Sequence, residues 1–119
     1  MNIQIIGTNK SADTRKAQRF FSERGIKYHF KDLSDKKQLL TKGELNNITQ
    51  IIPIEDLLDK ESKEYTKRNM QFMVINYEEE LLNNQLLFRI PIVRNGRKVT
   101  VGYQPEIWKE WILSEKNTK

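Results

Sequence analysis

The stretch Phe88-Arg89-Ile90-Pro91-Ile92-Val93-Arg94-Asn95-Gly96-Arg97-Lys98-Val99-Thr100-Val101 carries the clearest structural signal in the chain. Asn95-Gly96 stands between β-branched runs, and both residue types tolerate positive φ, so the stretch reads as a β-hairpin turning there. Pro105-Glu-Ile-Trp-Lys-Glu-Trp-Ile112 follows. Proline suits the first turn of a helix, where its missing N–H is not needed. Ile107, Trp108, Trp111 and Ile112 give that helix an apolar face. The C-terminal part is therefore β-β-α, with residues 114–119 expected to fray.

The N-terminal part is β-α-β. Asn2 to Ile6 is short and rich in isoleucine, which predicts a strand. Gly7 to Ser11 is a loop, and Asp13 or a neighbour starts a helix with Ala17, Phe20 and Phe21 at helical spacing. Gly25 stops it, as a glycine just past a helix end does. Ile26 to Lys31 alternates apolar and polar residues after Ile26 and predicts a second strand. The crossover between the two strands should be right-handed.

The middle reads as helical. Thr41-Lys-Gly-Glu44 fits a capping box, and Leu45, Ile48 and Ile51 or Ile52 continue an apolar face until Pro53 breaks it. Ile54 to Leu58, Lys63 to Met73 and Tyr77 to Leu87 are three further helical stretches. Glu78, Glu79 and Glu80 open the last, where carboxylates suit the helix dipole; they read as a solvated helix start and not as a metal site. The order is β-α-β, a helical insert over about 38–87, then β-β-α. That order predicts an α/β, thioredoxin-like fold, a four-stranded mixed sheet with helices packed on it, in a single domain over residues 1–119.

A length of 119 residues suits one domain. With 37% hydrophobic and 31% charged residues the chain is polar yet able to bury a small core. No apolar run approaches the ~20 residues that cross a bilayer, and the N-terminus lacks the basic and apolar regions of a signal peptide. A cytoplasmic protein without a membrane partner is the expectation. The chain has no cysteine, which excludes a disulfide scaffold and a thiolate metal site, and thiol catalysis as the sequence stands. One histidine, His29, argues against histidine-bound zinc. The net charge of +5 is uneven: +4 over residues 1–30, −2 over 31–93 and +3 over 94–119. If the ends meet, they form a positive face. No Lys/Arg run exceeds two residues and aromatics are not interleaved with them, so nucleic acid is not an expected partner.

Three segments carry a family resemblance. Gly7-Thr8-Asn9-Lys10-Ser11-Ala12-Asp13-Thr14-Arg15-Lys16-Ala17 joins the first strand to the first helix; Arg89-Ile90-Pro91-Ile92-Val93 precedes and opens the third strand; Val101-Gly102-Tyr103 follows the fourth. In this order, and around a helical insert, they resemble the ArsC/Spx family, the arsenate reductase-like branch of the thioredoxin superfamily. The resemblance covers almost the whole chain. It implies that Ser11 occupies the position of the family's nucleophilic cysteine, with Thr14 where redox-active relatives carry a second cysteine and Arg15 beside it. It further implies that Thr8, Asn9, Lys10, Ala12, Asp13, Arg89 and Pro91 surround the substrate, with Pro91 a cis-proline facing the active site.

The physical chemistry of position 11 agrees with that placement. The first amides of a helix have no intrahelical partner and favour an anion. A thiol there ionises more readily, and a selenol more readily still. Serine gains little, because its hydroxyl stays protonated. Two readings stand: serine replaces a natural cysteine or selenocysteine, or serine is native and the protein is redox-silent. Arg15 either holds an anion or is an exposed first-turn arginine, and Lys10 either adds positive potential or is solvated.

The implied activity is that of an arsenate reductase-like or glutaredoxin-like thiol or selenol oxidoreductase, with arsenate, another small oxyanion or a disulfide as substrate. Thr14 precludes a Cys-x-x-Cys disulfide, so the implied mechanism uses one cysteine. It needs no bound cofactor but an external reductant: glutathione, glutaredoxin or thioredoxin. The alternative is an Spx-like, redox-silent regulator that binds RNA polymerase. The chain departs from glutaredoxin-linked arsenate reductases at three arginine positions, where it has Ile90, Asp59 or Lys60, and Gln104.

Overall fold

Strand β1 (Ile3–Gly7) is the centre from which the fold is built, because its neighbours on both sides come from distant parts of the chain. The computed structural model describes residues 1–116. After β1 come helix α1 (Ala12–Glu23), β2 (Tyr28–Asp32), α2 (Lys42–Thr49), α3 (Lys63–Lys67), α4 (Tyr77–Asn83), β3 (Ile92–Asn95), β4 (Lys98–Val101) and α5 (Pro105–Lys116). Short 3-10 turns cover Ile54–Leu57, Met70–Phe72 and Gln85–Leu87. The strands form one mixed sheet in the order β2-β1-β3-β4. β3 runs antiparallel to both β1 and β4, with Ile5 opposite Val93 and Val93 opposite Thr100. This is the predicted thioredoxin-like arrangement.

The chain divides into two units. Met1–Lys31 and the chain from Ile90 onward make the first; Asp32–Arg89 makes the second. The two basic ends thus share one unit: residues 1–31 and 90–119 carry thirteen basic and five acidic side chains, net +8. Residues 32–89 carry eight basic and eleven acidic, net −3.

In the first unit one face of the sheet is covered by aromatic packing. Ile3, Ile5, Ala17, Phe20, Phe21, Val93, Trp108 and Trp111 form a buried cluster. Phe20 and Phe21 lie at the helical spacing that brings both onto one side of α1, and each ring centroid is 5.3 Å from that of Trp108. The buried indole N–H of Trp108 donates to Thr100 Oγ1 at 2.9 Å, so its one polar atom is satisfied. Ile107, expected on the apolar face of α5, is 38% exposed and lies outside the core, because α5 turns Trp108 and Trp111 to the sheet. α5 runs to Lys116, beyond the onset of fraying expected at Ser114; the Met1 amino group is 2.5 Å from Glu115 Oε1 and ties that turn to the start of β1. Residues 117–119 of the stretch expected to fray lie outside the described residues.

The hairpin forms one residue later than the sequence suggests. Asn95 pairs with Lys98, so Gly96 and Arg97 are the central residues, and Gly96 alone has positive φ, at 62°. Glycine at the first central position is the pattern of a type II′ turn. Asn95 is held in the strand because its Oδ1 accepts the Asn2 N–H at 3.2 Å.

The second unit is helical but more broken than the sequence suggests. Thr41 and Glu44 form the capping box in both directions, at 3.1 and 3.0 Å. The stretch expected as one helix over Lys63 to Met73 stops at Lys67, because Asn69 takes a left-handed conformation (φ 53°) before the turn at Met70–Phe72. The stretch over Tyr77 to Leu87 stops at Asn83, because Asn84 is extended and caps the next turn with its own side chain. Glu80 of the acidic triplet meets Arg68 at 2.8 Å and Glu78 meets Lys42 at 3.7 Å, so both carboxylates have cation partners.

Gln85 is 5% exposed and pairs with the backbone of Leu40: its Oε1 accepts the Leu40 N–H at 2.7 Å and its Nε2 donates to the Leu40 carbonyl at 2.8 Å. Gln85→Leu strands both groups of Leu40. The expected loss is at least about 2 kcal/mol in urea unfolding, since each buried unpaired polar group costs about 1–3 kcal/mol. A loss below about 0.5 kcal/mol would mean that water takes over both bonds.

Candidate functional site

The loop between β1 and α1 is shaped by a close approach at Gly7. Thr14, in the first turn of α1, is fully buried and lies directly over Gly7. A Cβ added at Gly7 would fall 2.9 Å from Thr14 Cγ2 and nearer still to Oγ1. Only glycine lets the helix start sit this low on the strand. Thr14 Oγ1 has no hydrogen-bond partner among the described residues. Thr14 therefore presents no hydroxyl to solvent; it fixes where the helix begins.

Ser11 is the N-cap of α1. Its backbone is extended (φ −78°, ψ 123°), and its Oγ accepts the Thr14 N–H at 3.2 Å. Its carbonyl accepts the Arg15 N–H at 3.1 Å, and its own N–H donates to the Thr8 carbonyl at 3.1 Å. Thr8 is buried while Ser11 is half-buried, so the loop is anchored at its base and open at residue 11. The amides of Ala12 and Asp13, being at a helix start, have no carbonyl of their own helix to bond. A negative group at the position of Ser11 Oγ meets the Thr14 N–H directly, in the positive field of the helix end.

Arg15 turns back over the loop. Its Nη1 donates to the Asn9 carbonyl at 2.7 Å, while Asn9 Oδ1 accepts from Gln18 Nε2 at 3.4 Å. Asn9 is thus the strap that links the loop to the second turn of α1. The family resemblance implies Asn9 beside the substrate; the spacing of Asn9 and Arg15 does not reveal that their bond closes the loop. Lys10 and Ala12 are exposed, and Asp13 is exposed with a distant pairing to Lys16 at 3.9 Å.

Pro91 enters the same unit from β3. The Ile90–Pro91 peptide bond is cis, Pro91 is buried, and its carbonyl accepts the Gly102 N–H at 2.8 Å. Gly102 has φ 82°, which explains glycine after Val101. Arg89 falls in the other unit, exposed, with its N–H donating to the Leu57 carbonyl at 2.7 Å. The structure therefore brings Thr8 to Arg15 together in one turn and places Pro91 in the same unit. His29 is exposed on β2.

Comparison with known proteins bears on this site. The model of the ArsC family matches residues 7–111, a span that includes the Ser11 loop, Pro91 and Tyr103. An ArsC family related protein from Bacteroides fragilis superposes with a TM-score of 0.77 at 21% identity, over 92% of this chain and 97% of that one. An arsenate reductase (ArsC) related protein from Brucella melitensis gives 0.68 at 22% identity, over 94% and 95%. An arsenate reductase from Vibrio cholerae gives 0.74 at 17% identity, over 92% and 97%. At these identities the likeness is one of fold. No curated protein matches the chain in sequence.

Two substitutions test the geometry of the turn. Ser11→Ala removes the side-chain cap and should cost about 1 kcal/mol, read as a lower urea midpoint with an unchanged slope. Gly7→Ala drives a methyl into Thr14 and should cost about 1–3 kcal/mol; the double variant Gly7→Ala/Thr14→Ala, which removes both Oγ1 and Cγ2, should recover part of that loss. An additive double variant would mean that the two residues do not press on one another.

Proposed function

Because the chain belongs to the ArsC family, we propose that residue 11 is the reaction centre of a one-cysteine, arsenate reductase-like or glutaredoxin-like oxidoreductase, here carrying a hydroxyl where the chemistry needs a thiol or selenol. The observation that supports this reading is the 3.2 Å bond from the Thr14 N–H to Ser11 Oγ at an accessible helix start. The same amide that caps the helix through serine stabilises a thiolate through cysteine. Thr8, Asn9, Lys10, Ala12, Asp13 and Pro91 surround the place where substrate meets residue 11. Arg15 supports the loop through Asn9, and its remaining donors can face an anion.

With cysteine at position 11 the thiolate attacks an electrophile. Toward a disulfide, it forms a mixed disulfide and expels the other sulfur as a thiolate. Toward arsenate, it forms a sulfur–arsenic bond while an arsenate oxygen leaves as water. A glutathione thiol then attacks the cysteine sulfur, so two thiols become one disulfide and their two electrons reduce arsenic from As(V) to As(III). Glutaredoxin or thioredoxin regenerates the free thiol. Disulfide substrates suit the residues better than arsenate. Where arsenate reductases of the glutaredoxin-linked kind place arginines, this chain has Ile90 and Gln104, and Gln104 Nε2 is turned onto the Val101 carbonyl at 3.2 Å.

A second reading takes serine as native. Ser11 is already a satisfied N-cap, so the fold needs no thiol there. The protein then works by binding, as an Spx-like, redox-silent regulator of RNA polymerase.

Ser11→Cys separates the readings. Its thiol should titrate below the ~8.5 of a free cysteine, so alkylation by iodoacetamide should persist at a lower pH than that of glutathione. The variant should also turn over hydroxyethyl disulfide with glutathione, and arsenate more slowly, while the serine protein does neither. A thiol with ordinary reactivity and no turnover of either substrate would reject the oxidoreductase. RNA polymerase subunits retained on the immobilised serine protein would then favour the regulator.

A further inference from the structure

The outer side of α5 carries a continuous trough that the reading of residue 11 does not use. It starts as a cleft of about 530 Å³ between α1 and the beginning of α5, lined by Phe20, Tyr103 and Pro105. Arg24 and Lys109 line both this cleft and the next, whose floor is Ile26, Ile112 and Leu113. Ile26, Ile112 and Lys116 continue into a third, which reaches Met1 and Lys27. The whole follows the twelve residues of α5, a length of ~18 Å at 1.5 Å per residue.

Its charge has one sign in excess. Lys16, Arg19, Arg24, Lys27, Lys109 and Lys116 line it, against Glu23, Glu106 and Glu115. Glu106 and Lys109 pair with each other at 3.2 Å and Glu115 meets the Met1 amino group, which leaves Lys16, Arg19, Arg24, Lys27 and Lys116 against Glu23. Arg24 is held rigidly: its guanidinium lies 3.8 Å from the Phe20 ring centroid and Nη1 donates to the Phe20 carbonyl at 3.0 Å. A stacked guanidinium keeps its other donors pointed outward with little entropy left to lose. In the middle of this cationic rim Leu113 is 59% exposed.

We propose that this trough is a docking surface for an acidic amphipathic helix of a partner protein, with its apolar side chains on Ile26, Ile112 and Leu113 and its carboxylates on Arg24, Lys116 and the flanking lysines. Helix-in-groove recognition needs this pairing of an apolar floor with a charged rim over several turns. Nucleic acid fits less well, because cations of this chain already sit against the aromatic rings. Arg24 lies over Phe20, and Lys16 is 5.6 Å from the Tyr103 centroid, while the apolar floor has no use for a phosphate chain. A lipid surface also fits less well, because both tryptophans of α5 are buried in the core and none faces outward. The surface stands whether residue 11 is reactive or silent.

The test uses the full-length protein and a fluorescein-labelled helical peptide with glutamate on one face and leucine on the other. Its controls are a scrambled peptide of equal composition and a counterpart with lysine for glutamate. Fluorescence anisotropy should show the acidic amphipathic peptide binding at least about tenfold tighter than both, with affinity falling as salt rises. Lys109→Glu and Leu113→Glu, both at exposed positions, should each weaken it by about tenfold. Arg24→Glu should do the same, with circular dichroism to check that the loss of Phe20 packing leaves it folded. Equal binding of the scrambled peptide, or affinity unchanged in both exposed variants, overturns the proposal. Preferential binding of phosphatidylserine vesicles or of single-stranded RNA overturns it in favour of a lipid or nucleic-acid surface.

Discussion

The fold depends on the burial of Trp108. Its indole is fully enclosed, packs on Phe20 and Phe21 of α1, meets Tyr103 at 5.6 Å between centroids, and donates its single N–H to Thr100 of β4. One side chain thus joins the first helix, the last strand and the last helix. Side chains of this size bury on the order of 200 Å² and dominate small cores. If the indole had no acceptor, its N–H would be stranded in an apolar cluster, at about 1–3 kcal/mol. Thr100, on the buried face of β4, supplies that acceptor, and the hairpin register that sets Val93 opposite Thr100 puts it there.

This anchoring also sets the position of the loop at residue 11. α1 is pinned in its last turn by Phe20 and Phe21, and at its start by the contact of Thr14 with Gly7. Between these points the helix axis cannot shift without overpacking or opening a void. The first-turn amides are therefore held in place before any ligand arrives, which makes a helix start useful for stabilising charge. The Arg15–Asn9 bond adds a strap on the exposed side.

The overall order of the fold was legible because each signal had one physical cause. Alternating isoleucines marked β1, the Phe20–Phe21 pair marked the inner face of α1, and the Thr41–Glu44 box marked the start of α2. Legibility failed where asparagine decided the backbone. Asn69 takes a left-handed turn and Asn84 an extended one, and each breaks a stretch whose composition is otherwise helical. Asn84 does this with its side chain, whose Oδ1 accepts the Leu86 N–H in a local bond that competes with the helix; Asn69 does it by tolerating positive φ. At the site the position of residue 11 was legible as a helix start. The burial of Thr14 was not, because threonine is more often exposed than buried. Nor was the reach of Arg15, since a long side chain spans several partners.

Ser11 does more than stand where a nucleophile would. Serine is among the best N-cap residues, and its oxygen accepts the Thr14 N–H as an N-cap should. A neutral thiol is a weak acceptor and a poor cap. A thiolate is a good one, because it meets the same amide with a full charge in the positive field of the helix end. Cysteine at this position therefore caps the helix only by ionising, so that helix stability and nucleophilicity rise together. Serine caps it without ionising and separates the two. The same hydrogen bond that would stabilise a thiolate at this position caps the helix through an oxygen without charging it.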